Sequence, residues 1–119
     1  MKKTLSKTVR FTFEEKIKKY SEIQNLFRKG KKISTTGAKL YILPYGLSFN
    51  RIAFTLPRGF GNAVQRNYSK RLSREAYRHL KTSIKNGYDM VLLVYNQDDL
   101  YNKRVEQLDS LYKKEGLFL

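Results

Sequence analysis

The sequence predicts one α/β (α+β) domain, a two-layer sandwich in which three or more helices pack on a mixed sheet of about four strands. Three observations carry this. Apolar residues recur at spacings of three and four in three separate stretches, and runs rich in β-branched and aromatic residues lie between them. One further run, Met90-Val91-Leu92-Leu93-Val94, is apolar without alternation, as suits a strand buried on both faces. The 119 residues are enough for a single core, so the domain spans residues 1–119.

Residues 1–12 carry Lys2, Lys3, Lys7 and Arg10 without an apolar period and read as a basic N-terminal arm. From Glu14 onward, Ile17, Tyr20, Ile23, Leu26 and Phe27 form one helical stripe that stops at Gly30, a natural C′ residue. Lys39 to Tyr45 and Arg51 to Leu56 are strand-like, and the glycine and asparagine of Gly46 to Asn50 suit a hairpin turn between them. Lys32 to Thr36 supplies a further short strand. Pro57, Gly59 and Gly61 then break the pattern, and Asn62 stands at the N-cap of a helix over 63–81. Tyr88 to Tyr95 is the central strand. Asp98 or Asp99 caps a last helix, whose stripe is Leu100, Tyr101, Val105, Leu108, Leu111 and Tyr112. The order is α-β-β-β-α-β-α.

The chain holds 25 basic and 10 acidic residues, a formal charge of +15 that favours a polyanionic partner. A membrane is disfavoured, because the longest apolar run is far below the roughly 20 residues needed to span a bilayer. With no apolar h-region near the start, a cytoplasmic protein is expected. The absence of cysteine excludes disulfides, thiolate zinc sites and cysteine nucleophiles.

Charge is concentrated on the second helix. On a wheel of about 100° per residue, Val64, Tyr68, Leu72, Ala76 and Leu80 form a drifting apolar stripe expected to face the sheet. Arg66, Lys70, Arg71, Arg74, Arg78 and Lys81 fall in an arc of roughly 140° almost opposite. Only Glu75 is available within the helix to offset them, so the face is incomplete without an anion. From Ile23 to Tyr88 the chain has fourteen Lys or Arg residues and this one acid. Arginine suits structured RNA, since its planar fork grips phosphate with two hydrogen bonds and stacks on exposed bases.

The segment Gly61-Asn62-Ala63-Val64-Gln65-Arg66-Asn67-Tyr68-Ser69-Lys70-Arg71-Leu72-Ser73-Arg74-Glu75-Ala76 resembles the signature helix of the bacterial ribonuclease P protein family. Arg66, Asn67, Lys70, Arg71 and Arg74 match that pattern, while Tyr68 stands where a second arginine is usual; a ring packed inward on the apolar stripe is the expectation for it. The resemblance continues through Glu22 to Gly30, Leu40-Tyr41 and Gly87 to Val91. It implies a left-handed strand-helix-strand crossover, against the usual right-handed preference. It also implies that the signature helix lies against a catalytic RNA, and that a cleft between the first helix and the sheet receives the single-stranded 5′ leader of precursor tRNA. Phe27 and Tyr41 match aromatic positions of that cleft, Ile23 replaces another aromatic, and Lys39 is near enough to meet leader phosphates. Aromatics suit an unstructured strand because every base has a π-face. Arg28, Lys29, Arg58 and Arg78 form a supporting basic surface.

The function so implied is that of an accessory subunit, with ribonuclease P RNA and precursor tRNA as partners and no need for protein oligomerisation. Magnesium held mainly by the RNA would serve removal of the leader, and no organic cofactor is expected. No catalytic side chain is assigned. His79 is the sole histidine and lies among cations; Asp98-Asp99 reads as a cap before a metal site; Arg58 to Ala63 lacks the Lys-Ser/Thr ending of a phosphate-binding loop. Charge alone equally allows a non-enzymatic RNA-binding or ribosome-associated protein. A helix-turn-helix DNA reader fits less well, because a strand and a Gly-rich turn precede the basic helix rather than a partner helix.

Overall fold

A strand that is apolar on both faces needs hydrogen-bonded neighbours on both edges and cover on both sides. The computed structural model, which describes residues 13–95 and 99–119, meets both needs. Strands β1 (Lys31–Thr35), β2 (Ala38–Pro44), β3 (Arg51–Thr55) and β4 (Tyr88–Val94) form one sheet in the order β1-β2-β4-β3. β2 is antiparallel to β1 and β4, whereas β3 is parallel to β4. Helices α1 (Tyr20–Lys29), α2 (Ala63–Leu80) and α3 (Tyr101–Glu115) complete the predicted order, with short 3-10 turns at Phe13–Glu15 and Lys81–Ser83. The N-terminal arm and Asp98 lie outside the described residues.

Leu40, Ile42, Ile52, Met90, Leu92 and Val94 pack with Ala76 and Tyr77 of α2 and with Leu108, Leu111 and Tyr112 of α3. On the other side, Ala53 and Val91 meet Ile17 and Leu26, with Ile23, Phe27, Tyr41 and Leu43 around them. α1 packs on β2 and β4 there, and Lys39 and Leu93 on the same face stay partly open.

The hairpin expected between β2 and β3 does not form. β4 lies between them, with Met90 opposite Ile42 on one side and Ile52 on the other. Local turn chemistry specifies a chain reversal but not which strand becomes the neighbour, and the most apolar strand takes the centre. The hairpin joins β1 to β2 instead, through Thr36 and Gly37, whose φ of 81° is in the left-handed region.

The first helix begins at Tyr20 rather than near Glu14. Ile17 is in extended backbone, where its N–H donates to the Ile52 carbonyl at 3.2 Å along the outer edge of β3. Tyr20, counted in the apolar stripe, is 75% exposed. Gly30 does follow the helix but has a φ of −70°, so it is not the left-handed C′ glycine expected. Close approach explains it: a Cβ there would lie 2.6 Å from the Leu26 carbonyl oxygen and 3.2 Å from the Ile42 nitrogen.

α2 is rolled relative to the wheel reading. Its buried residues are Ser69, Leu72, Ser73, Ala76 and Tyr77, while Val64 is 76% and Tyr68 47% exposed. Tyr68 therefore does not pack inward. The cause is Arg104 of α3, a guanidinium with 0% exposure. It donates to the Ser69 carbonyl at 3.0 Å, the Ser73 hydroxyl at 2.6 Å, the Gln107 side chain at 3.0 Å and the Asp99 carboxylate. Burial lowers the Arg104 pKa from its ordinary value, and the hydrogen bond and charge of Asp99 offset part of that. Small serines facing α3 make room for this group and supply its acceptors. Asp99 consequently does not cap α3: Leu100 is the N-cap without a side-chain bond, and Asp99 also accepts from the Ser69 hydroxyl at 3.0 Å.

Arg104→Met should lower the unfolding free energy in a urea titration by about 3 kcal/mol, since it leaves Asp99 and two serines without their partner. Arg71→Met, at an exposed site of α2, should stay within about 0.5 kcal/mol of the parent protein.

Candidate nucleic-acid interface

The start of α2 is built to hold its first turn firmly. The Asn62 side chain accepts from the Gln65 N–H at 2.9 Å, and the Gln65 side chain accepts from the Asn62 N–H at 2.9 Å. This reciprocal pair is the capping box anticipated in part by Asn62 alone. A Cβ at Gly61 would lie 2.4 Å from the Gln65 side-chain oxygen, so a larger residue there would push that side chain out of the capping box.

Along the helix, the cations do not share one fate. Arg66 is clasped back onto the preceding loop, its guanidinium donating to the Pro57 carbonyl at 2.9 Å. Arg78 sits 3.6 Å from Glu75, and Lys81 is gripped by both oxygens of Glu15 at 2.7 and 2.9 Å. Lys70, Arg71 and Arg74 form no ion pair among the described residues. Asn67 and Arg71 point to solvent, and Lys70 and Arg74 are half-buried at the edge of the helix.

That edge opens into a groove of about 400 Å³ lined by Lys16, Ile17, Lys18, Ile23, Ile52, Ala53, Phe54, Lys70 and Arg74. Ile23 and the α2 cations, predicted on two separate surfaces, thus line one space. Apolar residues form its floor and four cationic side chains its walls.

The aromatic part of the cleft is also assembled. Phe27 meets Tyr41 edge to face, with ring centroids 4.8 Å apart at 78°. Both are half-buried rather than sealed in the core. Lys39 leans not on Tyr41 but over Tyr95, its ammonium 5.5 Å from the ring centroid. The supporting cations Arg28, Lys29 and Arg58 are exposed, with Arg28 donating to the Asn25 side chain at 3.4 Å. His79 is exposed on α2.

Sequence reading did not single out what holds α1 over the sheet. Arg51 of β3 makes two hydrogen bonds to Asp89 of β4, at 2.9 and 2.7 Å, and reaches Glu22 of α1 at 3.4 Å. Its guanidinium lies 4.3 Å from the Tyr45 ring centroid. The Asp89 hydrogen bonds raise the Arg51 pKa above its ordinary value, outweighing burial. Glu22 and Asp89 flank the helix and strand at unrelated places in the sequence, so no local pattern announces the pair.

Fold and site together define a small basic α+β protein with a cationic helix edge beside an apolar groove. The sequence profile of the ribonuclease P family matches residues 11–115. The ribonuclease P protein component of Natranaerobius thermophilus is 36% identical over 103 residues, covering 85% of this chain and 90% of that protein. The ribonuclease P protein component of Clostridium botulinum strain Loch Maree is 35% identical over 108 residues, covering 88% and 97%. Among solved structures, the Staphylococcus aureus RNase P protein superposes with a TM-score of 0.76 at 23% identity, over 88% of this chain and 98% of that one. The Thermotoga maritima RNase P protein gives 0.76 at 24% identity, over 84% and 96%; these two likenesses concern the fold. The chain belongs to the bacterial ribonuclease P protein family, the protein part of an endonuclease, and membership implies association with ribonuclease P RNA.

Asn62→Ala should lower stability by about 1 kcal/mol in thermal or chemical denaturation, whereas Asn62→Gly should cost only a few tenths. No loss on Asn62→Ala would mean that the capping bond contributes little.

Proposed function

We propose that this chain binds the catalytic RNA through Arg66, Asn67, Lys70, Arg71 and Arg74 and receives the 5′ leader of precursor tRNA in the adjoining groove. In this reading it assists magnesium-dependent removal of the leader in the cytoplasm, and the cleavage chemistry belongs to the RNA. The observation that carries it is the shared groove: Lys70 and Arg74 of α2 stand beside Ile23, next to the α1 surface that carries Phe27. A cationic wall suits phosphates, and half-buried rings suit unpaired bases. Both are what a single strand leaving a folded RNA offers.

Divalent ions fit poorly on the chain's own acids. Glu15 faces Lys81, Asp89 faces Arg51, and Asp99 faces Arg104. No group of three or more metal-binding side chains occurs among the described residues. We therefore assign the magnesium to the RNA.

The decisive experiment adds the chain to a bacterial ribonuclease P RNA at low magnesium. Faster cleavage of precursor tRNA is expected. Unchanged cleavage alongside tight RNA binding would favour a non-enzymatic RNA-binding protein. Neutralising Lys70, Arg71 or Arg74 should weaken RNA binding and reduce the salt slope by about 0.7 to 0.9 per lost phosphate contact. Phe27→Ala should weaken precursor tRNA binding by about 1 to 3 kcal/mol while sparing mature tRNA. Equal loss for both RNAs would indicate damage to the packing with Tyr41 instead.

A further inference from the structure

We propose that Asn86-Gly87 is a site of spontaneous covalent modification, at which Asn86 loses its side-chain amide and becomes isoaspartate, loosening the seat of β4. The inference is independent of the RNA contacts proposed above.

Of the seven asparagines in the chain, Asn86 alone is followed by glycine. Asparagine is among the chemically labile side chains. Its loss of ammonia needs the next residue's main-chain nitrogen to reach the side-chain carbon Cγ, and a Cβ on that residue stands in the way. Gly87 has none. Asn86 is exposed in the turn between the Lys81–Ser83 3-10 helix and β4, and neither its side chain nor the Gly87 N–H makes a hydrogen bond among the described residues. By contrast, Asn50 and Asn62 have their side chains engaged, and Asn25, Asn67 and Asn102 lie in α1, α2 and α3. Nor does the fold readily accept another residue in place of Gly87. Its φ of 102° lies in the left-handed region, and a Cβ there would stand 3.3 Å from the Leu47 carbonyl oxygen.

In the reaction, the Gly87 nitrogen bonds to Asn86 Cγ, the Cγ–Nδ2 bond breaks, and ammonia leaves with the proton from the Gly87 N–H. Water then opens the cyclic imide. Breaking the bond from nitrogen to the main-chain carbonyl carbon leaves isoaspartate; breaking the bond to Cγ leaves aspartate. No oxidant or reductant takes part. Because the attacking nitrogen gives up its proton, the rate rises with pH.

Isoaspartate routes the main chain through Cβ and Cγ and so adds one atom to a span whose ends are fixed. The Asn50 side chain donates to the Lys85 carbonyl at 2.8 Å and accepts from the Tyr88 N–H at 2.9 Å, clamping both ends. Between them the Gly87 carbonyl accepts from the Tyr45 N–H at 2.7 Å. An added atom is absorbed only by releasing some of these bonds, which leaves buried polar groups of Asn50 without partners. Asp89, the partner of Arg51 beneath α1, is two residues further on.

The test ages the purified full chain in mildly alkaline buffer. Peptide mass spectrometry should find Asn86 converted before any of the other six asparagines, with the mass gain of an amide turned into an acid, and sooner at higher pH. An isoaspartate-specific carboxyl methyltransferase with a labelled methyl donor should mark aged protein and not fresh protein, and the aged protein should unfold at a lower urea midpoint. Asn86→Gln, whose longer side chain closes its ring far more slowly, should stay unmarked and keep its midpoint through the same treatment. Fresh Asn86→Asp carries the added charge without the added atom and should unfold at the parent's midpoint. Conversion of Asn86 no sooner than that of Asn25 or Asn67 would overturn the site. Extensive isoaspartate with an unchanged midpoint, or an equal loss in aged Asn86→Gln, would overturn the loosening of β4.

Discussion

Strand β4 has no polar face, and everything else in the molecule is arranged around that. Leaving a large aliphatic side chain in water costs about 1.5 to 3 kcal/mol, so the run from Met90 to Val94 drives burial on both sides. Burial on both sides requires strands on both edges, and β2 and β3 take those places. Because β3 runs parallel to β4, the chain must cross over between them, and α2 is the crossover. α2 and α3 then occupy one face. Among the described residues α1 and the Ile17 segment cover the other, and Lys39, Leu93 and Tyr95 stay partly open there.

A buried guanidinium decides how the basic helix is presented. Taking Arg104 out of water is costly unless each donor finds an acceptor, and the acceptors come from both Asp99 and the serine edge of α2. This rolls α2 so that Ser69 and Ser73 face inward. Tyr68 is turned outward by the same roll, onto the exposed surface, where the family pattern has an arginine. Lys70 and Arg74 are brought to the groove.

The carboxylates are largely committed to structure. Glu15, Asp89, Asp99, Glu75, Asp109 and Glu115 each stand within ion-pair distance of a Lys or Arg of the chain. Three of these pairs, Lys31–Glu115, Arg78–Glu75 and Lys113–Asp109, are partly exposed and contribute little to stability singly, whereas those of Glu15, Asp89 and Asp99 are largely shielded from water. Their collective effect is on charge. They neutralise Arg51, Lys81 and Arg104, whereas Lys70, Arg71 and Arg74 have no ion pair among the described residues.

The amino-acid sequence by itself determined the order of elements, the central place of β4, the Asn62 start of α2 and the concentration of cations on that helix. Each depends on neighbours within a few residues or on total composition, and such information is local. The signature around Arg66, Asn67, Lys70, Arg71 and Arg74 was likewise legible, because its spacing lies within one helix. Tertiary structure alone decided that β4 would separate β2 from β3, that Ile17 would join the edge of β3, and that Arg51 would tie α1 to Asp89. It also decided the roll of α2 and the meeting of Ile23 with Lys70 and Arg74 in one groove. These outcomes depend on pairs of groups up to dozens of residues apart, where burial energy and the need to satisfy buried charge select the partner and local periodicity is silent.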